Sequence, residues 1–513
     1  MSLSTHRVCS CDEGTPYVPH PQQPLTVRAG CVAIDVLPDD VLLIIFHFDG
    51  PEDADPMYPS WHRLVHVCRR WRSLVFSSPN FLDLRLVCGP RTRMELIGIW
   101  PTLPITIRNR IYGPIPDNYD FNAAILHRSR VRQIDLRITS SEQLRRLTSA
   151  MGEPFPDLTH LDLVSASELP ALPDGFLGGS APHLQSLRIT SIPFPALPKL
   201  LLSANGLVCL TLSNILYDGY ISPQAIHTSL AMLVNLESLT IHFQSSVSHP
   251  DRERRQPPPE IRTVLSSLTD FEFRGVTDYL EDLVGRIDAP LLDSVCITPL
   301  YGRITEFSQL GRFIGLTERF QEFNEAHVVF DYCVEIKFLP PTRILDVRSE
   351  FRIPYKFGQW RTLTQWRARA LTRVLTSFSA TFSSVYTVEH LYISFPGDLW
   401  SRWSRWSYVL TNMHWLDFFR PFTTVKNLYL CKKVAEFISS ALQELVGESV
   451  TSAFPALESI FLEELEPSRP VQDAFQQFIA ARQLSGHPVA VSQWNRTSED
   501  IDFDFDEFLS ILS

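Results

Sequence analysis

The chain has 513 residues, of which 44% are hydrophobic and 20% charged, and a formal net charge of −11. At this length about three-quarters of the unfolded surface leaves water on folding, so a large core is affordable; the acidic balance disfavours a general nucleic-acid binder, which needs a basic face to displace phosphate counterions. Nine scattered cysteines without a C-x-x-C pair argue against a disulfide framework or zinc cluster and fit a reducing compartment.

Residues 1–32 carry Pro16, Pro19, Pro21 and Pro24 and no signal-type apolar run, and no 18-residue apolar stretch follows anywhere. They read as a disordered Pro-rich leader of a cytoplasmic or nuclear protein with no membrane span.

The next stretch, residues 33–86, is helical. Leu37 and Pro38 open a first helix with Asp39 and Asp40 in its first turn, where negative charge suits the helix N-terminus. Its apolar residues, Val41, Leu42, Ile44, Ile45, Phe46 and Phe48, cover more of the circumference than one core-facing stripe requires, which points to a partner surface. After an acidic Pro/Gly insert, Asp49 to Pro59, a second helical segment is expected from Ser60 as N-cap, with Trp61, Leu64, Val65, Val67, Cys68, Trp71, Leu74 and Val75 at helical spacing and Pro79 as its stop.

In the order Leu37-Pro38, Ile45-Phe46, Leu64, Val67-Cys68-Arg69, Trp71-Arg72, Leu74, Pro79, Leu82, this stretch resembles the F-box, a small helical module that docks on the Skp-type adaptor of cullin-based ubiquitin ligases. The resemblance covers about a tenth of the chain. It implies Leu37, Pro38, Val41, Leu42, Ile45, Phe46, Leu64, Val67, Cys68 and Trp71 as adaptor contacts or their support. The bland alternative is a three-helix cap with no docking role.

From residue 87 to 495 the phrase apolar-x-x-apolar-x-apolar recurs ten times, starting at Val131, Leu158, Leu184, Leu207, Leu236, Leu268, Leu292, Val388, Val425 and Leu457. The first seven starts lie 23 to 32 residues apart, room for one strand, one helix and two turns. Helix-like stretches such as SEQLRRLTSAM, SPQAIHTSLAML and TDYLEDLVGRI fall between them. The fold class is therefore α/β: a helical F-box followed by an irregular leucine-rich-repeat solenoid with parallel strands on its concave face. A doubly wound sheet would show near-continuous apolar strands instead.

Residues 300–387 break the phrase, although EAHVVFDY near Val328 and RILDV near Leu345 read as degenerate strands and TQWRARALTRVLTSF as a helix before Val388. Residues 248–260 (SHPDRERRQPPPE) read as an exposed loop. In LWSRWSRWSYVL, Trp400, Trp403 and Trp406 form either a packing stripe or, with Arg402 and Arg405, a base-stacking face, and the acidic balance favours packing. F-box with irregular long repeats, and the closing wording FIAARQLSGHPVAV, are similar to the large F-box families of mushroom-forming fungi.

Chemistry is not signalled. No phosphate-binding glycine loop and no G-x-S-x-G elbow occurs. His62 and His66 are four apart, but Arg63 stands where a metalloprotease needs Glu; Cys9 and Cys11 have no second ligand pair. The sequon at Asn495 matters only in a secreted chain. No cofactor, metal or catalytic residue is assigned, and the chain is read as a non-enzyme.

Strand parity exposes on the concave face Gln133, Asp135, Arg137, His160, Asp162, Ser186, Arg188, Thr190, Thr211, Ser213, Ser238, Thr240, His242, Asp270, Glu272, Arg274 and Cys296. In the last three phrases Tyr392, Tyr429 and Phe461 share one strand position, so neighbouring strands would stack them into an aromatic ladder, a candidate anchor for a protein target. Its competitors are cover by the Trp-rich insert or by residues 496–513, whose IDFDFDEFLSIL alternates acid and aromatic; Glu499 to Glu507 could equally be a solvated tail. The function expected is substrate recognition in a Skp-cullin-F-box ubiquitin ligase, the partners being the adaptor, through it a cullin, and a protein target. A repeat scaffold without ligase function is the alternative.

Overall fold

The computed structural model describes residues 34–48, 61–79, 81–89, 95–99, 102–109, 122–245, 259, 261–300, 308–330, 333–339, 350–352, 355–356, 383–395, 414–446, 450–463 and 469–494. The Pro-rich leader, the acidic insert, the 248–258 loop, RILDV, TQWRARALTRVLTSF, the Trp-rich insert and residues 495–513 lie outside them. The chain divides after Leu84 into two compact units.

Among the described residues the first unit has three α-helices, α1 (Asp39–Phe48), α2 (Trp61–Leu64) and α3 (Arg69–Ser77). Helix α1 begins one residue later than expected: the Pro38 carbonyl accepts from the Leu42 N–H at 3.0 Å, which makes Pro38 the cap. The segment expected as one helix from Trp61 to Val75 is two. Its chain turns at Val65–Val67, and Cys68 takes an extended conformation (φ −154°) with its Sγ accepting from the Trp71 N–H at 3.4 Å. A short polarisable side chain at this point supplies the acceptor that the first turn of α3 lacks.

The second unit is built on a sheet of seventeen strands among the described residues. Strands β1 (Leu86–Cys88), β2 (Ile105–Arg108), β3 (Val131–Ile138), β4 (His160–Ser165), β5 (Ser186–Thr190), β6 (Cys209–Ile215) and β7 (Ser238–Phe243) follow one another in space as in sequence, each parallel to the last. After β8 (Thr263–Val264), the run continues from β7 through β9 (Asp270–Gly275) to β11 (Ser294–Pro299); β10 (Ile287–Asp288) pairs with β8 in a separate two-stranded sheet.

All ten phrases are strands, and nine begin two residues past the phrase's first apolar residue. That residue sits in the preceding turn, fully buried at Leu184, Leu207, Leu236, Leu268 and Leu292. Neighbouring repeats are bonded there as well: the N–H groups of Thr159, Gln185, Val208 and Glu237 donate at 2.8 Å to Arg132, Thr159, Gln185 and Val208. Each such leucine removes apolar area worth about 2 kcal/mol from water, and the core they share runs unbroken along the sheet.

The expectation of parallel strands fails between residues 325 and 356. Here β12 (Glu325–Phe330), β13 (Cys333–Leu339), β14 (Glu350–Arg352) and β15 (Tyr355–Lys356) form an antiparallel excursion. Strand β14 pairs parallel with β11, β13 runs antiparallel between β14 and β12, and β12 pairs parallel with β16 (His390–Ser394). Two added antiparallel pairings restore the original direction, so the sheet resumes with β17 (Asn427–Leu430), β18 (Ser459–Leu462) and β19 (Ala490–Gln493), all parallel. The EAHVVF part of EAHVVFDY is thus strand β12, as expected, inside an arrangement that the repeat phrase does not encode.

Two buried charges fasten helices. Glu281, on the helix Thr277–Val284, accepts from the N–H groups of Gln309 (2.8 Å) and Leu310 (3.0 Å), filling orphan donors at the start of the next helix, Ser308–Gly315. Arg482, fully buried on the helix Arg469–Leu484, donates to the carbonyls of Leu457 (2.9 Å) and Phe454 (3.3 Å) in the turn before β18.

Candidate protein-interaction surfaces

In the first unit, α1 turns Leu42 and Phe46 inward and leaves Ile44, Ile45 and Phe48 at 49, 39 and 80% exposure. Residues four apart share one helix face, so Leu42 and Phe46 form the inner stripe. The Phe46 ring packs 4.6 Å from Trp71 of α3. Arg70 ties the other end: its guanidinium donates to Asp39 Oδ1 (2.6 Å) and to the Leu37 carbonyl (2.6 Å). Arg72 Nε donates to the Val65 carbonyl at 2.8 Å, holding the turn that exposes Val67.

Of the ten residues expected at a partner surface, Leu42, Phe46 and Leu64 are buried and act as support, Pro38, Ile45 and Val67 are exposed, and Leu37, Val41, Cys68 and Trp71 are half-buried. Ile34, Val36, Ile44 and Phe48, absent from that set, are also exposed. The signal for Ile44 and Phe48 was present, since a helix apolar all round cannot bury every side against two short neighbours.

In the second unit a single register row crosses the sheet on the face opposite the core. It runs Arg108, Asp135, Asp162, Arg188, Thr211, Thr240, Glu272 and Cys296. Through the excursion it continues by Arg352 and Lys337 to His327, then Tyr392, Tyr429, Phe461 and Ser492. The early part is charged and internally paired: Arg108 Nε lies 3.4 Å from Asp135 and Arg188 Nε 3.9 Å from Asp162. Asp135 and His242, expected at the surface, are buried, His242 being 3.0 Å from Glu272. Burial pulls the pKa of Arg274, beside this pair, below its ordinary value, with the Glu272 charge opposing.

The later part is aromatic. Tyr392 and Tyr429 stack with ring centroids 4.1 Å apart and 12° between planes, Tyr429 and Phe461 at 4.5 Å and 9°. His327, on the excursion strand β12, extends the stack on Tyr392 at 4.3 Å and 21°, with Glu325 3.2 Å from its Nε2. Trp494, just past β19, lies across the edges of Tyr392 (6.0 Å, 56°) and Tyr429 (5.8 Å, 68°) and is itself only 8% exposed.

The three residues expected to form a ladder are therefore brought together, and His327 and Trp494 are the members that sequence reasoning missed. Trp494 has the same parity as Ser492, a signal usable only once β19 is known to be a strand. Such a stack offers contact area: each ring spends its face on its neighbour and presents its edge.

Among the described residues no three His, Cys, Asp or Glu side chains gather to hold a metal ion, and no helix is long and apolar enough to cross a membrane. Residues 34–82 match the F-box-like domain family. No curated protein matches the chain.

Proposed function

We propose that the chain is the substrate-recognition subunit of a Skp-cullin-F-box type ubiquitin ligase. The observation that carries this is the F-box-like match over residues 34–82, coinciding with a helix that leaves Ile44, Ile45 and Phe48 exposed. F-box domains in general bind Skp-type adaptors, and apolar burial is what such a helix has to offer a partner. Through the adaptor the chain joins a cullin, in the cytoplasm or nucleus.

The second unit, in this reading, is an irregular leucine-rich-repeat solenoid whose concave face carries the target site. Its aromatic ladder of Tyr392, Tyr429 and Phe461 is the anchor, because large flat side chains held rigidly by their neighbours lose little entropy on binding. The chain makes no bonds itself. It raises the effective concentration of target lysines near a ubiquitin-charged enzyme.

The test is affinity capture with mass spectrometry, using the full chain and a chain lacking residues 34–86. Adaptor and cullin should be recovered only with the module present, and a common set of further proteins with both. Recovery of that set without adaptor from the full chain would favour a scaffold outside any ligase.

A further inference from the structure

The side chains that β2 to β5 turn away from the core carry a local excess of positive charge, in a chain whose net charge is −11. Arg108, Asp135, Asp162 and Arg188 stand side by side in one register row. Arg137 lies one step further along β3, and His160 one step back on β4. Arg85, just before β1, donates from Nη1 to Gln133 Oε1, the register partner of His160, at 3.3 Å. Among the described residues of this face, four guanidiniums thus meet two carboxylates.

The carboxylates lie lower. The side chains of Asp135 and Asp162 are 8 and 19% exposed, those of Arg108 and Arg188 27 and 49%. Pairs at 3.4 and 3.9 Å attract but exceed hydrogen-bond length, and Arg108 Nε, though buried, bonds no described residue. Neither pair therefore uses the two-pronged fork with which a guanidinium holds a carboxylate. The cations also act on one another: burial, and after it the charge of Arg108, lowers the pKa of Arg85, while burial, and after it the charge of Arg85, lowers that of His160.

We propose that this face binds an extended, acidic segment of a partner protein, two of whose carboxylates take the guanidiniums of Arg108, Arg137 and Arg188 as donors. Arg108 and Arg188 are three strand spacings apart, about 14 Å. Acidic side chains four residues apart on an extended segment are separated by about 13 Å. The two guanidiniums in excess match two singly charged groups, whereas phosphoryl groups, each near −2, would exceed them. The incoming carboxylates fill the empty forks and relieve the repulsion among the cations. This goes beyond the ligase reading and stands without either adaptor docking or the aromatic ladder.

Fluorescence anisotropy of the full chain tests it, the probe being a fluorescein-labelled Gly/Ser peptide that carries two glutamates four residues apart. Wild type should bind with a dissociation constant on the order of 100 µM at low ionic strength. The double variant Arg137→Gln, Arg188→Gln should bind at least about tenfold more weakly, and Arg188→Gln alone about threefold. Arg145→Gln with Arg146→Gln, which removes the same charge from the exposed face of the helix Ser141–Ala150, should change binding by less than about twofold. An unchanged unfolding midpoint reports that each variant is folded. Equal losses from the two double variants would reduce the effect to net charge and overturn the proposal. So would no binding by the wild type, or a preference above about tenfold for the phosphoserine form of the peptide or for a single-stranded oligonucleotide. A chain that binds the glutamate peptide but captures no adaptor loses the ligase reading and keeps this one.

Discussion

The rings of Tyr392 and Tyr429, 37 residues apart in sequence, lie parallel at 4.1 Å because β16 and β17 are paired in register, residue against residue, from His390 on Asn427 to Ile393 on Leu430. The stack is a consequence of the repeat: the core-facing leucines set the strand positions, and the residue between them is stacked on its counterpart one strand away. Rigidity therefore comes from the sheet, and the rings keep it while only partly buried.

Tyr429 is stacked between Tyr392 and Phe461, with Trp494 across its edge. Tyr429→Ala should destabilise the second unit by about 2 kcal/mol, the sum of aromatic pairs worth roughly 0.5–1.5 kcal/mol each, while Tyr429→Phe stays within about 0.5 kcal/mol. Urea denaturation followed by circular dichroism reads both. A loss for Phe as large as for Ala would show that the hydroxyl, not the ring, holds the rung.

Arg482 stands inside the core with two backbone carbonyls as partners. Arg482→Ala should cost about 3 kcal/mol, combining a cavity with two stranded acceptors. Arg482→Met fills the space but leaves the carbonyls unpaired, and should recover about a third of that loss. Differential scanning calorimetry of the two variants separates the packing and polar contributions.

Stability should fall on mild acidification. Burial, and after it the Arg85 guanidinium, lowers the pKa of His160; burial, and after it Arg286, lowers that of His227. The unfolded chain thus takes up protons first, so this contribution is fully present above the unfolded histidine pKa of about 6.5 and is lost as pH falls through the lower folded values. The urea midpoint should drop between pH 7.5 and pH 5, and His160→Gln with His227→Gln should make the drop smaller.

Cys88 is fully buried, and burial pushes its thiol up to about 11, with the Arg130 charge opposing. Since the thiolate is the reactive form, Cys88 should resist alkylation at pH 8 in the native chain and react once urea unfolds the second unit. Half-buried Cys209 and Cys296 serve as internal references. Mass spectrometry of iodoacetamide-treated protein identifies which cysteines carry the label.

Much of the repeat was legible because its core is periodic: a buried leucine or valine every 23 to 32 residues, followed by two apolar residues two apart, admits few arrangements besides stacked parallel strands. The ladder was legible for the same reason, since shared parity put Tyr392, Tyr429 and Phe461 in one row. The antiparallel excursion was not, because alternation in EAHVVF or CVEIKFL reports that a strand has two faces and carries no information on its direction. The break at Cys68 was hidden as well: the apolar spacing from Trp61 to Val75 is compatible with an unbroken helix, and only the Sγ bond to Trp71 marks the new start. Which apolar residues of α1 are exposed depends on how little α2 and α3 cover, a matter of tertiary packing that helical spacing leaves open.

The central claim is that α1 presents an adaptor-docking surface, and the most direct measurement is the affinity of the full chain for a purified Skp-type adaptor, with wild type compared against Ile44→Ser, Ile45→Ser, Phe48→Ser. These side chains are exposed, so the unfolding midpoint should not change. Wild type should bind with a dissociation constant of about 1 µM or tighter, and the variant at least about a hundredfold more weakly, the loss of roughly 3 kcal/mol of apolar burial. Equal binding by variant and wild type, or no binding by the wild type, would contradict the claim.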